Sequence, residues 1–121
     1  KDGDYEAYND IVRSGYRKLR DSWELLVEDH LFAGTLKRFR RPINTLKLRS
    51  VRVEDEHVKA VYEGMTRASY FTHEGGAEAP PALPDPQDFL ADIEALEAAL
   101  KMVDENRKKV EAEREKLGIP A

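Results

Sequence analysis

The sequence predicts an all-α protein, a helical bundle in which two long antiparallel helices form a coiled-coil-like hairpin beside two shorter helices. Ala, Glu, Lys, Leu and Arg make up 59 of the 121 residues, a composition typical of long helices. Apolar residues recur at spacings of three and four along most of the chain, which is the period of one helix face. Residues that begin and end helices flank these stretches, and the length suits a single domain over residues 1–121.

The first long helix is predicted to begin at Asp4, whose carboxylate can accept hydrogen bonds from unpaired backbone N–H groups. We expect it to end near Ala33 and Gly34, because glycine readily takes the left-handed cap conformation. Its apolar stripe consists of Tyr5, Tyr8, Val12, Tyr16, Leu19, Trp23 and Leu26. This spacing favours core packing of Trp23 and the tyrosines over a base-stacking role.

A short second helix is predicted after Pro42, since proline is favoured at the first helical position. Ile43, Leu46, Ser50 and Val53 would share one of its faces. A strand over residues 43–53 is the alternative, although its apolar residues would change face midway. The choice between helix and strand stays open at this stage.

The third helix is predicted over residues 54–71. Glu54, Asp55 and Glu56 suit its positive N-terminal end, and an apolar stripe follows at helical spacing, formed by Val58, Val61, Tyr62 and Met65. Residues 73–84 follow as a flexible loop that contains Gly-Gly and Pro-Pro pairs.

The last helix carries the clearest signals, with Asp85 as N-cap, Pro86 at the first position and Gly118 beyond the end. Its heptad seam comprises Phe89, Ile93, Leu96, Leu100, Val103, Arg107, Val110, Arg114 and Leu117. Because arginines enter the second half of the seam, we expect its first half to be buried and its second half to project or meet a partner. A homodimer through this helix is left open.

No catalytic, cofactor-binding or metal site is predicted. The chain contains no cysteine, no GxxxxGK[ST] phosphate loop and no GxGxxG turn. Residues 54–57 (Glu-Asp-Glu-His) are adjacent on a helix, so their side chains diverge and do not converge on one metal ion. No apolar run reaches the length of a membrane span, and we expect a cytoplasmic protein without membrane contact.

The distribution of charge is the strongest functional signal. Residues 30–53 contain seven basic and no acidic side chains, whereas the remaining residues contain 13 basic and 24 acidic ones. Such a segment can face the phosphates of DNA or RNA, or the acidic helices of the protein itself. The candidate nucleic-acid-binding residues are Lys37, Arg38, Arg40, Arg41, Lys47, Arg49 and Arg52.

Several sequence blocks occur in a familiar order: LRDSWELLVEDHLF and LKRF, then VRVEDEHVKAVYEGM, PDPQDF and DIEALEA. Together they resemble the C-terminal region of large prokaryotic ATPases that have an SMC- or RecN-like head and coiled-coil arms. Some members of that class act in DNA repair or phage exclusion. The resemblance implies a phosphate loop and metal-binding carboxylates upstream of this chain, and it assigns no site residue within it. We therefore interpret the chain, which begins without methionine, as a C-terminal fragment of a larger ATPase.

Two hypotheses follow. In the first, the chain is a non-catalytic helical accessory domain that contacts the rest of the parent ATPase or a protein partner. In the second, it is a nucleic-acid-binding module that uses residues 37–52. An autonomous enzyme is a distant third reading.

Overall fold

The computed structural model of the chain describes residues 2–72 and 84–119. Helix α1 (Asp2–Leu25) continues directly into a π-helix (Leu26–Leu31). A short 3-10 helix (Thr45–Ser50) precedes helix α2 (Asp55–Thr72), and helix α3 (Pro86–Lys116) closes the described chain. The all-α prediction is confirmed, and no strand occurs in the described ranges. The predicted flexible loop, apart from Pro84, lies outside the described residues.

The three long helices run up, down and up. Helices α1 and α2 are antiparallel: Tyr16 contacts Phe71, and the later residue Trp23 contacts the earlier residue Gly64. Helices α1 and α3 are parallel, since residue numbers increase in the same direction along both. Tyr8 donates to the Pro84 carbonyl, Tyr16 donates to Asp92, and His30 pairs with Asp104. The antiparallel neighbours are thus α1 with α2 and α2 with α3. The two longest helices, which the sequence suggested as the antiparallel pair, lie parallel because α2 returns the chain between them.

The core follows the predicted stripe of α1. Val12, Tyr16, Leu19, Trp23 and Leu26 are all buried, and Trp23 is only 1% exposed. From the other elements the core receives Leu31, Ala68, Ala99 and Val103. The preference for core packing of Trp23 and Tyr16 over base stacking is confirmed, since neither side chain presents a face to solvent.

The predicted seam of α3 is confirmed at Val103 and Val110 but is displaced by one position in its first half. The fully buried residues of this helix are Asp92, Ala99, Val103 and Val110, whereas Ile93 and Leu100 are only partly buried and Leu117 is exposed. Small and polar residues lie at the centre because α2 approaches α3 closely there, and an alanine allows that approach. The heptad pattern located the helix and its innermost residues Val103 and Val110, but it missed the buried Asp92 and Ala99.

The far half of α3 does not project freely. It is covered by the chain's own segment 45–53, with Ser50 donating to Glu111 and Asn106 donating to the Arg52 carbonyl. Val110 beneath this cover is completely buried. The expectation that this half projects is therefore wrong over residues 103–114.

Three helix ends match the sequence signals, but the predicted start at Asp4 is wrong, since α1 begins at Asp2 and Asp4 lies inside it. Ala33 and Gly34 both have positive φ values, of 52° and 74°, where the first helix was expected to stop. Asp85 and Asp88 form a reciprocal capping box with Pro86 at the first helical position. Gly118, with φ of 87°, follows the end of α3.

Residues 43–53 contain a short helix and not the alternative strand, but it is a 3-10 helix that begins at Thr45, three residues after Pro42. Residues 41–44 are non-helical, Thr45–Ser50 forms the 3-10 helix, and residues 51–54 are extended. The backbone N–H of Asn44 donates to the Thr35 carbonyl, which closes a loop just where Pro42 was expected to open a helix. The 3-10 helix begins at the residue that follows this bond.

Candidate functional site

The predicted basic residues fall into two groups. Four of them bond to acidic side chains of the protein itself: Lys37, Arg38, Arg49 and Arg52. The other three, Arg40, Arg41 and Lys47, form no ion pair or side-chain hydrogen bond with any residue of the described ranges. The structure thus divides a segment that the sequence presented as uniform.

The first pair of bonded cations fastens the loop after the π-helix onto the π-helix itself and the end of α1. Lys37 Nζ lies 2.8 Å from Asp29 Oδ1, and Arg38 Nε lies 2.8 Å from Glu28 Oε2. A second Arg38 nitrogen reaches Glu24 at 3.2 Å. The bond that Arg38 donates to Glu28 is the main cause that raises the pKa of its guanidinium, and the bond to Glu24 adds to it. These cations serve the packing of the loop and are not available as a pair for phosphate.

The second pair of bonded cations fastens the segment after the 3-10 helix onto α3. Arg52 Nη1 lies 2.7 Å from Glu113 Oε2, and this hydrogen bond is the main cause that lowers the pKa of the Glu113 carboxyl. Arg49 is 3.9 Å from Glu111, whose carboxylate also accepts a hydrogen bond from Ser50. Both carboxylates lie on α3, so the acidic face of that helix neutralises this end of the basic segment.

Between these two anchored ends the chain is open to solvent. Residues 36–48 are all exposed, and the backbone bond from Asn44 to Thr35 closes residues 36–43 into a loop. Phe39 in this loop is fully exposed and has φ of 66°, a left-handed conformation that costs a residue with a side chain roughly 1–2 kcal/mol. A strained backbone that holds an aromatic ring in water is an unfavourable arrangement, and such strain concentrates at binding sites.

The exposed apolar side chains and the unpaired cations alternate along one stretch. We call this set the amphiphilic surface: Phe39, Arg40, Arg41, Ile43, Leu46, Lys47 and Leu48. Its apolar members are far from buried, with Leu46 82% exposed. A contiguous set of exposed apolar residues on a small protein is typical of an interaction site.

An open groove adjoins this surface. It has a volume of about 750 Å³ and runs between the 3-10 helix and the end of α3. Its apolar wall comprises Leu46, Leu48, Val51 and Ile119, and its cations are Lys47, Arg49 and Arg114. No acidic side chain of the described residues lines it. We call it the end groove.

A second groove, of about 540 Å³, lies between the π-helix and α2. Trp23, Val61 and Met65 contribute to its apolar lining. Its charged residues, Glu24, Glu28, Lys37 and Arg38, take part in the ion pairs described above. This groove therefore has little unpaired charge with which to select a partner.

A buried polar cluster, which the sequence did not predict, connects all three long helices. The Tyr16 hydroxyl donates to Asp92 Oδ2 at 2.5 Å, while Arg67 donates from Nε to Oδ1 at 2.5 Å and from Nη2 to Oδ2 at 2.9 Å. We call these three residues the buried triad after Tyr16 and Asp92, which are buried, whereas the Arg67 side chain is half exposed. Burial is the largest cause that raises the pKa of the Tyr16 phenol, and the hydrogen bond to Asp92 adds to it.

Aromatic rings pack against Tyr16 and Arg67 of the buried triad. The Tyr16 ring lies 4.7 Å from that of Phe71 and 4.8 Å from that of Phe89, and the Arg67 guanidinium lies over Phe71 at 5.5 Å. The donors of Tyr16 and Arg67 satisfy the Asp92 carboxylate from both sides. Asp92 lies directly before Ile93 of the predicted seam. By its position in the sequence alone, a buried aspartate at this point is indistinguishable from a solvated one.

No group of three or more His, Asp or Glu residues within the described ranges is placed to hold a metal ion. His57 is buried, and its Nδ1 accepts a hydrogen bond from the Glu54 backbone N–H at the start of α2. Within the same ranges no helix is long and apolar enough to cross a membrane. Comparisons with family models, with curated proteins and with solved structures gave no match.

Proposed function

We propose that this chain is a helical interaction domain that contacts a protein partner through the amphiphilic surface, and that it carries no catalytic site of its own. The observation that carries the proposal is the combination of unpaired cations with exposed apolar side chains on a fold braced by ion pairs. We further propose, from the order of the sequence blocks, that it serves as an accessory domain of a larger SMC- or RecN-like ATPase. A role in DNA repair or phage defence is part of that proposal.

A protein partner is favoured over nucleic acid because few cations are unpaired and several apolar side chains are exposed. Of the seven cations that could meet phosphates, four are bonded to Asp or Glu within the chain. Affinity for nucleic acid rises with the number of phosphates neutralised, so three free cations give a weak electrostatic contribution. Ile43, Leu46 and Leu48 are exposed, and a charged phosphate backbone offers no apolar surface against which they could be buried.

Nucleic-acid binding is the second candidate, and one observation favours it. Phe39 is a fully exposed aromatic ring between Arg38 and Arg40, and an aromatic ring beside cations can stack on an unpaired base. This reading predicts preference for single strands and a steep loss of affinity with salt.

Site-specific photo-crosslinking distinguishes the two candidates. A benzophenone amino acid is placed at Phe39 in one variant and at Tyr62, an exposed aromatic residue of α2 outside the amphiphilic surface, in the control. We expect a discrete polypeptide adduct at position 39 and none at position 62. Adducts sensitive to nuclease would support the second candidate, and equal labelling at both positions would contradict the surface as the contact site.

Anisotropy titrations against short single-stranded and duplex DNA and RNA complete the test. The informative variant is R40E/R41E/K47E, because reversing Arg38 would also break its bonds to Glu24 and Glu28. We expect little binding at physiological salt by either protein. Salt-sensitive binding that this variant abolishes would establish the second candidate instead.

The parental ATPase is tested separately. The reading frame that encodes this chain should contain a phosphate loop upstream, and a frame without one contradicts the ATPase proposal while leaving the interaction proposal intact.

A further inference from the structure

We propose that the partner presents an acidic amphipathic helix, and that this helix lies in the end groove with its acidic flanks against Arg40, Arg41 and Lys47. This inference rests on the proposed function and specifies the chemistry of the partner. It is carried by the shape of the groove and by the charges around it.

The shape of the groove favours an elongated occupant. Its walls are the 3-10 helix and the last turns of α3, so it is an open channel between two helical elements. Its volume of about 750 Å³ lies within the range of ligand pockets, but those pockets enclose most of a small ligand. An open apolar channel instead suits a helix that inserts a row of side chains spaced at i, i+3, i+4 and i+7.

The apolar wall supplies the contact for such a row. Leu46 and Leu48 remain more than half exposed, and Ile119 is 43% exposed. The 3-10 helix is held in place from beneath, because Arg114 Nη1 donates to the Leu48 carbonyl at 2.6 Å and Ser50 donates to Glu111. The wall is therefore anchored to α3 before any partner arrives, which reduces the ordering cost of binding.

The charges specify an acidic partner. The described lining of the end groove includes three cations and no acidic side chain, and Arg40 and Arg41 lie in the adjoining loop. Two carboxylates of this end of α3, Glu111 and Glu113, already pair with Arg49 and Arg52. Arg40, Arg41, Lys47 and Arg114 thus have no carboxylate partner in the described chain, and acidic residues flanking an apolar row would supply one.

The strained Phe39 adds an independent observation. Its loop is closed by the bond between Asn44 and Thr35, and Asn44 is also the first residue lining the end groove. A helix longer than the groove would run onto this loop, where the exposed ring can cover an apolar side chain. Phe39 has an unfavourable φ and a fully exposed ring, so the ring is available to the partner.

The experiment uses a fluorescein-labelled synthetic peptide of 18 residues, with Leu at helical spacing on one face and Glu on both flanks. Its controls are a peptide of equal composition with the Leu positions scrambled, and one with Lys in place of Glu. We expect saturable binding of the first peptide only, weakened by salt. The variant R40E/R41E/K47E should lose roughly 10- to 100-fold in affinity, since each reversal replaces attraction with repulsion.

A matched variant controls for net charge. Lys18, Arg20 and Lys101 are exposed residues elsewhere on α1 and α3, and K18E/R20E/K101E changes the net charge by the same amount. It should bind the peptide nearly as well as the parent chain, whereas L46S/L48S should bind at least about 10-fold more weakly because the apolar wall is lost.

Several outcomes overturn the inference. They are failure of the acidic peptide to bind at low salt, equal binding of the scrambled peptide, and equal weakening by the two charge-reversal variants. If a discrete polypeptide still crosslinks to position 39, the proposed function survives and only the acidic helix is wrong. Displacement of the peptide by single-stranded DNA at lower concentration would overturn both proposals together, and a stable dimer that blocks the groove would replace the partner by a second copy of the chain.

Discussion

The buried triad and the amphiphilic surface show opposite ways in which this protein places charge. In the triad, Asp92 is almost enclosed, and Tyr16 and Arg67 together donate three hydrogen bonds to its carboxylate. On the amphiphilic surface, three cations lie in water without a partner among the described residues, next to exposed apolar side chains. The first arrangement is complete within the chain and the second is not. The proposed contact site is accordingly defined by the charge that the fold leaves unpaired and not by charge density.

The largest expected effect is at the close contact between Gly64 of α2 and the buried Trp23 of α1. An ideal Cβ at Gly64 would lie 2.1 Å from Cε2 of the buried Trp23 ring, so Gly64→Ala should force α2 and the indole apart. We expect a loss of about 3 kcal/mol in the free energy of unfolding, despite a gain of about 1 kcal/mol in helix propensity. Urea denaturation measures it. Thr66→Ala, at an exposed position of the same helix, is the control and should be neutral or slightly stabilising. A stable Gly64→Ala protein would show that the core tolerates displacement of Trp23.

Removal of the charge at the centre of the triad should have the next largest effect. Asp92→Asn retains the shape but replaces the charged acceptor of the Tyr16 and Arg67 bonds by a neutral amide. We expect a loss of about 2 kcal/mol, because hydrogen bonds to a charged group contribute more than neutral ones. Arg67 is half exposed and can turn to water, which moderates the loss. Asp104→Asn on the same helix, whose partners are partly exposed, should cost no more than about 1 kcal/mol. Equal losses at the two positions would remove the distinction between buried and surface pairs.

The alkaline stability of the protein should depend on Tyr16. Because its pKa is raised in the folded state, the unfolded chain releases this proton first, and the contribution is complete below about pH 10, the ordinary tyrosine value. Above that pH the folded protein binds more protons than the unfolded one, so stability falls as pH rises, by up to about 1.4 kcal/mol per pH unit from this group.

The measurement is the difference in unfolding free energy between the parent chain and Tyr16→Phe from pH 8 upward. We expect the variant to be less stable at pH 8 and the difference to shrink as the pH increases beyond 10. A difference that is constant with pH would mean that Tyr16 ionises alike in the folded and unfolded chains.

The smallest expected effect is a gain in the free energy of unfolding, and it concerns Phe39 on the amphiphilic surface. Phe39→Gly removes a fully exposed ring from a position with φ of 66°, and we expect a gain of about 0.5–1 kcal/mol as backbone strain is relieved. Phe89→Ala in the aromatic cluster around Tyr16 is the comparison and should lose about 3 kcal/mol. If Phe39→Gly destabilises the free chain, Phe39 has an intramolecular role and its place in a contact surface is weakened.

Local patterns in the sequence were sufficient for several elements. The stripe of α1, the start of α2 and the capping box of α3 depend on neighbours three or four residues away, so they could be predicted directly. The left-handed end near Ala33 and Gly34 follows from the same kind of local signal. The candidate cations were likewise visible as a group, but not their division into bonded and unpaired residues.

The remaining features depend on contacts between residues distant in the chain. The 3-10 helix begins where Asn44 meets Thr35. The far half of α3 is covered because residues 49–52 bond to Glu111 and Glu113. Asp92 is buried where Tyr16 and Arg67 converge on it. Periodicity alone does not specify such partners, since many solvated carboxylates have the same spacing.

The sequence by itself determined an all-α protein, the approximate extent of its three long helices and the position of its basic segment, because helix formation and charge are local properties. The tertiary structure decided that α1 and α3 run parallel and which cations are neutralised. It also left the amphiphilic surface and end groove exposed. These features arise from the order in which the helices pack, and packing is settled by burial and long-range hydrogen bonds summed over the whole chain.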